Sequence, residues 1–526
     1  MNIRIERFGF ADYDMELFHL CKLFYDDAEV AVVDEPEGDG AEEGAAAGCA
    51  AAAADLTVRL ALSVDETAGV AAIRAHIGGE PAAELSRPLH SAAGEDRRKM
   101  LKRTVGAGLV KALERHTGLL QPWGTLTGVR PTKLMHNLLL EHSAEEAKRL
   151  IQEQYFVTEA KADLLTEVAV RQLDVIPDLH RINDREVSIY VGIPFCPTKC
   201  AYCTFPAYDI RGSNGSVDAF LNGLHYEIRE TGKWLREAEL GITTMYWGGG
   251  TPTSIEAEQM DALFETMRES LPGMEQIREL TVEAGRPDTI TPEKLRLMRK
   301  WKVDRISINP QSFTQQTLDT IGRHHTVKET VDKFLLSREM GMDNINMDLI
   351  IGLPNEGLKE LLHSLRETER LLPESLTVHT LSFKRASRMT QDRENYEVAE
   401  RAEVRRMMEE AVEWTRRNGY VPYYLYRQKN ILGNLENVGY SLAGKESLYN
   451  ILMMEERQTV IGLGCGAVSK VVFPEARAGG GRQLIERLPN PKEPTHYNRA
   501  FKEYTEKKLA LLQSAYGNRR GCHARL

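Results

Sequence analysis

The sequence predicts an α/β protein: a partial (β/α)6 barrel with an N-terminal α/β module and a mixed α/β C-terminal extension. Three observations carry that expectation. Six apolar, β-rich runs alternate with amphipathic stretches between residues 185 and 383. The first run is followed by a loop with three cysteines, Cys196, Cys200 and Cys203. Glycines or isolated polar residues close the later runs, where a parallel barrel keeps its chemistry.

The six runs are Val187–Ile193, Thr243–Trp247, Glu279–Ala284, Asp304–Asn309, Ile345–Ile351 and Leu376–Phe383. Helical patterns separate them at Val217–Glu239, Ala257–Leu271, Pro292–Lys300, Val327–Met340 and Leu358–Leu371. Such alternation implies a parallel sheet with helices outside. Six units suit an open barrel better than a closed eight-stranded one, and in both cases ligands sit at the carboxyl ends of the strands.

Residues 1–180 read as the N-terminal module. It begins with a strand candidate at Asn2–Gly9 and a helix candidate at Tyr13–Tyr25. Residues 35–54 are Ala, Gly and Glu-rich, cannot build a core and are expected to be a disordered insertion. Leu56–Val64 and Val70–Ile77 alternate apolar and polar residues around a five-residue turn and predict a hairpin. Pro81–Leu89 adds a strand candidate. Met100, Leu101, Val105, Leu109 and Leu113 share one face of a helix over Gly94–Thr117. The barrel is assigned to 181–390. In the extension, 391–526, the pattern gives a helix over Glu394–Asn418, a strand candidate at Tyr420–Tyr426, a glycine-dense turn at Gly462–Ser469, a helix over Thr495–Gln513 and a frayed tail.

Composition narrows the function classes. The chain has 526 residues, 42% hydrophobic and 27% charged, with a formal net charge of −10. That balance argues against a general nucleic-acid binder. No run of about 18 apolar residues suggests a membrane span, and the N-terminus lacks a signal-peptide pattern. Seven cysteines, three of them clustered, do not form a disulfide framework. A cytoplasmic monomer is expected.

The C-x3-C-x2-C loop can wrap three thiolates around three irons of a four-iron cluster, leaving the fourth iron without a protein ligand. Zinc remains the competing reading, although structural zinc prefers four ligands and no second cysteine pair is present. Trp247-Gly-Gly-Gly-Thr-Pro252 offers backbone N–H groups to a ligand, or marks only a tight turn. Glu283 ends the third run as a ligand acceptor or a rim charge. Gln311 lies just beyond the fourth. Gly322-Arg-His-His-Thr326 holds adjacent histidines that read as metal ligands or surface polar residues. Asp348 lies inside an apolar run, where an unpaired carboxylate is costly; it needs a ligand hydroxyl or an ion pair. Lys384, Arg385 and Arg388 form either a carboxylate-binding mouth or a solvated loop.

Taken together, these motifs resemble the radical S-adenosylmethionine (SAM) enzymes, and more narrowly the oxygen-independent coproporphyrinogen III oxidase (dehydrogenase) family. The stretch that carries the resemblance is about 180–475. Its motifs are Tyr190-Val-Gly-Ile-Pro-Phe-Cys-Pro-Thr-Lys-Cys-Ala-Tyr-Cys-Thr-Phe, Gly248-Gly-Gly-Thr-Pro, Asp348-Leu-Ile-Ile-Gly-Leu-Pro and Gly462-Leu-Gly-Cys-Gly-Ala-Val-Ser. The N-terminal module, with Trp123-Gly-Thr-Leu-Thr-Gly-Val-Arg-Pro-Thr-Lys-Leu134, resembles that of a longer Gram-positive variant.

The resemblance implies that Cys196, Cys200 and Cys203 ligate a [4Fe-4S] cluster whose open iron takes SAM. It implies that Gly249 and Glu283 contact that SAM, that Tyr190 lies near it and that Tyr202 lies in the cluster loop. Gly250, Thr251, Gln311, Arg323 and Asp348 fall where a second SAM is touched, and Ser382 and Val468 also align. The implied reaction is oxidative decarboxylation of two propionates of coproporphyrinogen III, giving protoporphyrinogen IX. Two SAM molecules become two methionines and two 5′-deoxyadenosines, and two CO2 are released. A tetrapyrrole substrate and an electron donor such as flavodoxin or ferredoxin are the implied partners. The sequence has Gly192 where the family usually has His, and Phe205 where the authentic oxidase has a further Cys. Of the related haem-chaperone signature only Asn450 is present. The alternatives are a haem-binding or haem-delivery protein and a radical SAM methyltransferase or haem-degrading enzyme.

Overall fold

A computed structural model describes residues 1–25, 27–34, 54–89, 97–182, 185–384, 386–473 and 484–517. The insertion expected at 35–54 lies outside them except for its last residue, as do Arg385 and most of the tail. The chain forms two compact units, Met1–Thr166 and Glu167–Leu526. The helix α5 (Glu159–Val175) spans the division, so the first unit ends before the sequence boundary at 180.

The smaller unit carries a five-stranded sheet of β1 (Asn2–Phe8), β2 (Glu29–Asp34), β3 (Leu56–Asp65), β4 (Val70–Ile77) and β5 (Glu80–Pro88), in the order β2-β1-β3-β4-β5. The expected hairpin is β3–β4, paired antiparallel from Val58–Ile77 to Asp65–Val70. Two helices, α1 (Asp14–Lys22) and α2 (Arg97–Thr117), supply Leu17, Leu20, Val105, Leu109 and Leu113 to a core shared with Ile3, Ile5, Val58, Leu60 and Ile73. Two more follow, α3 (Thr132–Leu139) and α4 (Ala144–Tyr155). Strand β2 was not read from the sequence. Its alternation is only half-buried and it runs into the undescribed segment.

The larger unit is built on an eleven-stranded sheet. Its parallel strands are β6 (Glu186–Ile193), β9 (Gly241–Gly249), β10 (Glu279–Glu283), β11 (Arg305–Ser307), β12 (Ile345–Ile351) and β13 (Ser375–Thr380). Two short strands, β7 (Phe195–Cys196) and β8 (Tyr208–Asp209), clasp the base of the cysteine loop. The connecting helices are α6 (Val217–Glu237), α7 (Ala257–Ser270), α8 (Pro292–Lys300), α9 (Gln315–Thr320), α10 (Val327–Glu339) and α11 (Leu358–Leu371). Ser216 and Thr326 accept hydrogen bonds at the N-termini of α6 and α10, as capping residues do. The inner strands are buried on both faces, so they read as continuous Val, Ile and Leu runs.

The C-terminal segment does not stand apart from this sheet. A short helix α12 (Arg388–Gln391) and α13 (Arg401–Arg417) lead to β14 (Val421–Tyr426) and β15 (Asn437–Ser441), which extend the sheet beyond β13. After α14 (Leu448–Glu455), strands β16 (Val460–Gly464), β17 (Val468–Val472) and β18 (Ile485–Pro489) extend it beyond β6, and α15 (Pro494–Tyr516) packs on α6. The stretch read as a glycine turn is therefore a strand, a short reversal and a second strand. β16 runs parallel to β6, from Val460–Ser188 to Gly464–Gly192. The helix expected at Glu394–Asn418 starts only at Arg401. No helix among the described residues is long and apolar enough to cross a membrane.

Candidate active site

The carboxyl ends of β6 and β9–β13 surround one cavity of about 350 Å³. All twelve residues singled out as ligating or cofactor-binding line it: Tyr190, Cys196, Cys200, Tyr202, Cys203, Gly249, Gly250, Thr251, Glu283, Gln311, Arg323 and Asp348. Ser382 lines it too; Val468 does not.

The cysteine loop is fixed from several sides. Cys196 is buried, and its Sγ lies 3.3 Å from Thr251 Oγ1. Burial pushes its thiol up to about 12, against the hydrogen bond from Thr251. Ala201 N donates to Ile321 O (2.9 Å), and Met389 N donates to Ala201 O (3.0 Å). Arg286, paired with Asp288, donates to Thr198 O and Oγ1 at 3.2 and 3.0 Å. The glycines approach the loop's own backbone. Gly250 N and Thr251 N donate to Ile193 O and Phe195 O at 2.7 Å each. Gly249 has φ +110°, and a Cβ on Gly250 would lie 2.6 Å from Phe195 O, so side chains are excluded from this cradle.

Opposite the loop, Tyr246 donates to Glu283 Oε1 at 2.5 Å. Burial pushes the Glu283 carboxyl up to about 7; the Tyr246 hydrogen bond opposes this and the charge of Asp348 adds to it. Tyr246 stacks on Tyr449 (centroids 4.5 Å apart) and more distantly on Tyr190 (6.2 Å). Asp348 accepts from Asn346 Nδ2 (2.8 Å) and lies 3.6 Å from His379 Nε2, whose Nδ1 is 3.2 Å from Tyr426 OH. Burial opposes ionisation of Asp348, but His379, Asn346 and Thr377 outweigh it and hold the carboxyl below its usual range.

The wall between β10 and β12 is polar and incompletely paired. Arg323 is 3% exposed and donates to Gly285 O (2.7 Å) and Asn309 O (2.8 Å), with Tyr202 OH at 3.4 Å. Gln311 sits at φ +65°, pinned by Gln311 N to Asp348 O and Ile350 N to Gln311 O, both 2.9 Å. Four buried atoms along this wall have no hydrogen-bond partner: Ser307 Oγ, Asn309 Oδ1, Gln311 Oε1 and Arg323 Nε. Buried polar atoms left unpaired are costly, so the wall is shaped for a polar ligand. Of the adjacent histidines, His325 is buried behind this wall and does not line the cavity.

Comparisons with known proteins bear on these residues. The Radical SAM superfamily signature matches residues 190–368. The oxygen-independent coproporphyrinogen-III oxidase-like protein HemZ of Bacillus subtilis (strain 168) is 51% identical over 519 residues, 98% of this chain and 99% of that protein. The chain belongs to this radical SAM family. The heme chaperone HemW of the same organism is 37% identical over 194 residues, 37% of this chain and 50% of that protein. Coproporphyrinogen III oxidase (HemN) of Escherichia coli superposes with a TM-score of 0.48 at 21% identity, over 64% of this chain and 73% of that one.

Radical SAM proteins use a [4Fe-4S] cluster and SAM. The residues present fit both. Among the described residues no group of three or more His, Cys, Asp or Glu is arranged to hold a single metal ion. A four-iron cube takes one thiolate per iron, so three thiols set around a cavity suit it better than they suit zinc. The unpaired atoms of Ser307, Asn309, Gln311 and Arg323, with the bare glycine cradle, suit a polar nucleoside. Tyr246, His379 and Asn309 also line the cavity, with Tyr449 stacked on Tyr246, and sequence reading passed over all four. Tyr246 was findable, since it lies two residues before the three glycines, a polar ring in an otherwise buried strand. Tyr449 was not, because it arrives from α14, distant in sequence.

Proposed function

We propose that the protein is an oxidoreductase that decarboxylates propionate side chains of coproporphyrinogen III, yielding protoporphyrinogen IX. The supporting observation is the 51% identity, over 98% of the chain, to a protein named coproporphyrinogen-III oxidase-like. When bound, the cluster and SAM supply a carbon-centred radical able to remove a hydrogen atom from an unactivated carbon. Cys196, Cys200 and Cys203 would hold the cluster. The Gly249–Gly250 backbone and the Glu283 carboxylate would hold the methionine end of SAM, beside Tyr190. Gln311, Arg323 and Asp348 would hold polar groups of a nucleoside along the unpaired wall, and a second SAM is compatible with that wall and Thr251. Phe205, Ile350, Leu381 and Met454 line the cavity and supply apolar surface for a macrocycle. The walls exclude water from the reacting carbon.

The test is anaerobic turnover of reconstituted protein with reductant, SAM and coproporphyrinogen III. Release of CO2 with formation of divinyl product supports the proposal. SAM cleavage without decarboxylation overturns the substrate while leaving the enzyme class intact.

A second reading, haem binding or delivery, draws on the 194-residue likeness to the heme chaperone HemW. A haem titration without a Soret shift removes it.

A further inference from the structure

Lys384 lies four residues beyond the end of β13, and its side chain reaches the same cavity as Cys203. Its position is firmly built. The Lys384 carbonyl accepts from Ser387 N (2.8 Å) and Ser387 Oγ (2.9 Å). Phe383 packs with Ala201, Ile321 and Met389 in one apolar cluster under the cysteine loop. The bond from Met389 N to Ala201 O ties the same segment to that loop. Lys384 is therefore held against the ligand loop by backbone bonds and packing on either side of it.

Its ammonium group is half-buried and makes no hydrogen bond or ion pair with any described residue. The other basic groups lining the cavity are engaged: Arg286 with Asp288, Arg323 with backbone carbonyls, and the His379 ring with Asp348 and Tyr426. An ammonium removed from water without a partner is costly. Burial accordingly pulls the Lys384 amine below its usual range, and the nearby Cys203 opposes this. The cysteine loop supplies the missing counter-charge once it holds its cluster. Three thiolates outnumber the positive charge of the core, and reduction adds one more electron.

We propose that Lys384 is a positioning residue for charge: a fixed cation beside Cys203 that stabilises the reduced cluster and raises its reduction potential. The inference rests on the reading that Cys196, Cys200 and Cys203 hold the cluster. Local charge, hydrogen bonding and solvent exposure are what a protein uses to set such a potential. A half-buried charge is screened less than an exposed one. Lys199, on the loop itself, also acts on Cys203 but is exposed, so dissolved salt screens it more than Lys384.

The experiment is anaerobic potentiometry of reconstituted full-length protein, followed by the electron paramagnetic resonance signal of the reduced cluster, with no substrate or SAM present. Wild type, Lys384→Met, Lys384→Gln, Lys384→Arg and Lys199→Met are compared after iron and sulfide content has been matched. The neutral variants at 384 should shift the reduction equilibrium about tenfold toward the oxidised form, ~59 mV for one electron. Lys384→Arg should stay near wild type, and the shift in Lys199→Met should fade more with added salt than the shift in Lys384→Met. A potential unchanged in Lys384→Met or Lys384→Gln, with a full cluster, overturns the inference. So does an unchanged potential accompanied by weaker SAM binding, which would make Lys384 a ligand-carboxylate anchor. Wild-type protein that assembles no cluster sinks the underlying reading instead, and its iron and sulfide content distinguishes that failure.

Discussion

The phenol of Tyr246 donates a 2.5 Å hydrogen bond to Glu283 inside the cavity. Glu283 titrates near 7, raised from an ordinary 4.5 mainly by burial. Between those values the folded protein binds more protons here than the unfolded chain does. This group therefore costs no stability below pH 4.5, costs progressively more as pH rises to 7, and is constant above. A cationic ligand beside Glu283 favours the carboxylate. SAM affinity should therefore rise with pH by up to roughly tenfold per unit below 7, then level off. Calorimetry in two buffers of different ionisation enthalpy should show proton release at pH 6 and little at pH 8.5. In Tyr246→Phe the hydrogen bond that favours the carboxylate is gone, and the plateau should move to higher pH.

Glu227 and Lys508 form a fully buried ion pair at 2.7 Å, both side chains 0% exposed. The same carboxylate accepts from Tyr497 OH (2.6 Å), Asn490 Nδ2 (2.9 Å) and Gly464 N (2.6 Å). Glu227→Ala strands a buried ammonium and should cost about 3–5 kcal/mol in urea unfolding. The double variant Glu227→Leu with Lys508→Met should cost less than the single one.

Gly192 touches the end of β16. A Cβ there would lie 2.8 Å from Cys465 O and 3.3 Å from Ala467 Cβ, while Gly464 closes on Gly192 O. Restoring the family's histidine with Gly192→His should overpack this contact and destabilise by about 1–3 kcal/mol. Thermal unfolding measures the cost. An unshifted transition would mean that β16 yields freely.

The free cysteines should separate by function. Cys200 has no hydrogen bond from its thiol and is half-buried. Cys200→Ala should keep the fold and lose SAM cleavage, because an incomplete ligand set cannot hold the cluster with its open iron. Cys465 is buried and donates to Pro491 O and Lys492 O, both at 3.2 Å. Cys465→Ala should lower stability slightly and leave iron content and SAM cleavage intact. Iron, sulfide and 5′-deoxyadenosine assays give both results.

Much of the barrel was legible because its strands are buried on both faces and its helices are amphipathic. Two polar residues were legible for the same reason: Asp348, inside its strand, and Glu283, at the end of its own, stand out against Ile and Val. The extension was harder. Pro422, Gly439 and the closely spaced Gly462, Gly464 and Gly466 look like breaks, yet they lie in or between strands that flank β13 and β6. Their glycines serve close packing: a Cβ on Gly439 would strike the Tyr424 ring, and one on Gly462 would strike the Val468 backbone. Nor could spacing bring Tyr449 to Tyr246, or His379 to Asp348. Those meetings depend on register and on segments far apart in the chain.

The pairing of β6 with β16 joins residues 272 positions apart, from Ser188 with Val460 to Gly192 with Gly464. During synthesis, the cysteine loop emerges long before the strand that seals its flank. A ribosome-bound intermediate exposing Cys196, Cys200 and Cys203 would have an unfinished sheet edge at Gly192. The flank of the cysteine loop is thus completed only once residues 460–464 have been made.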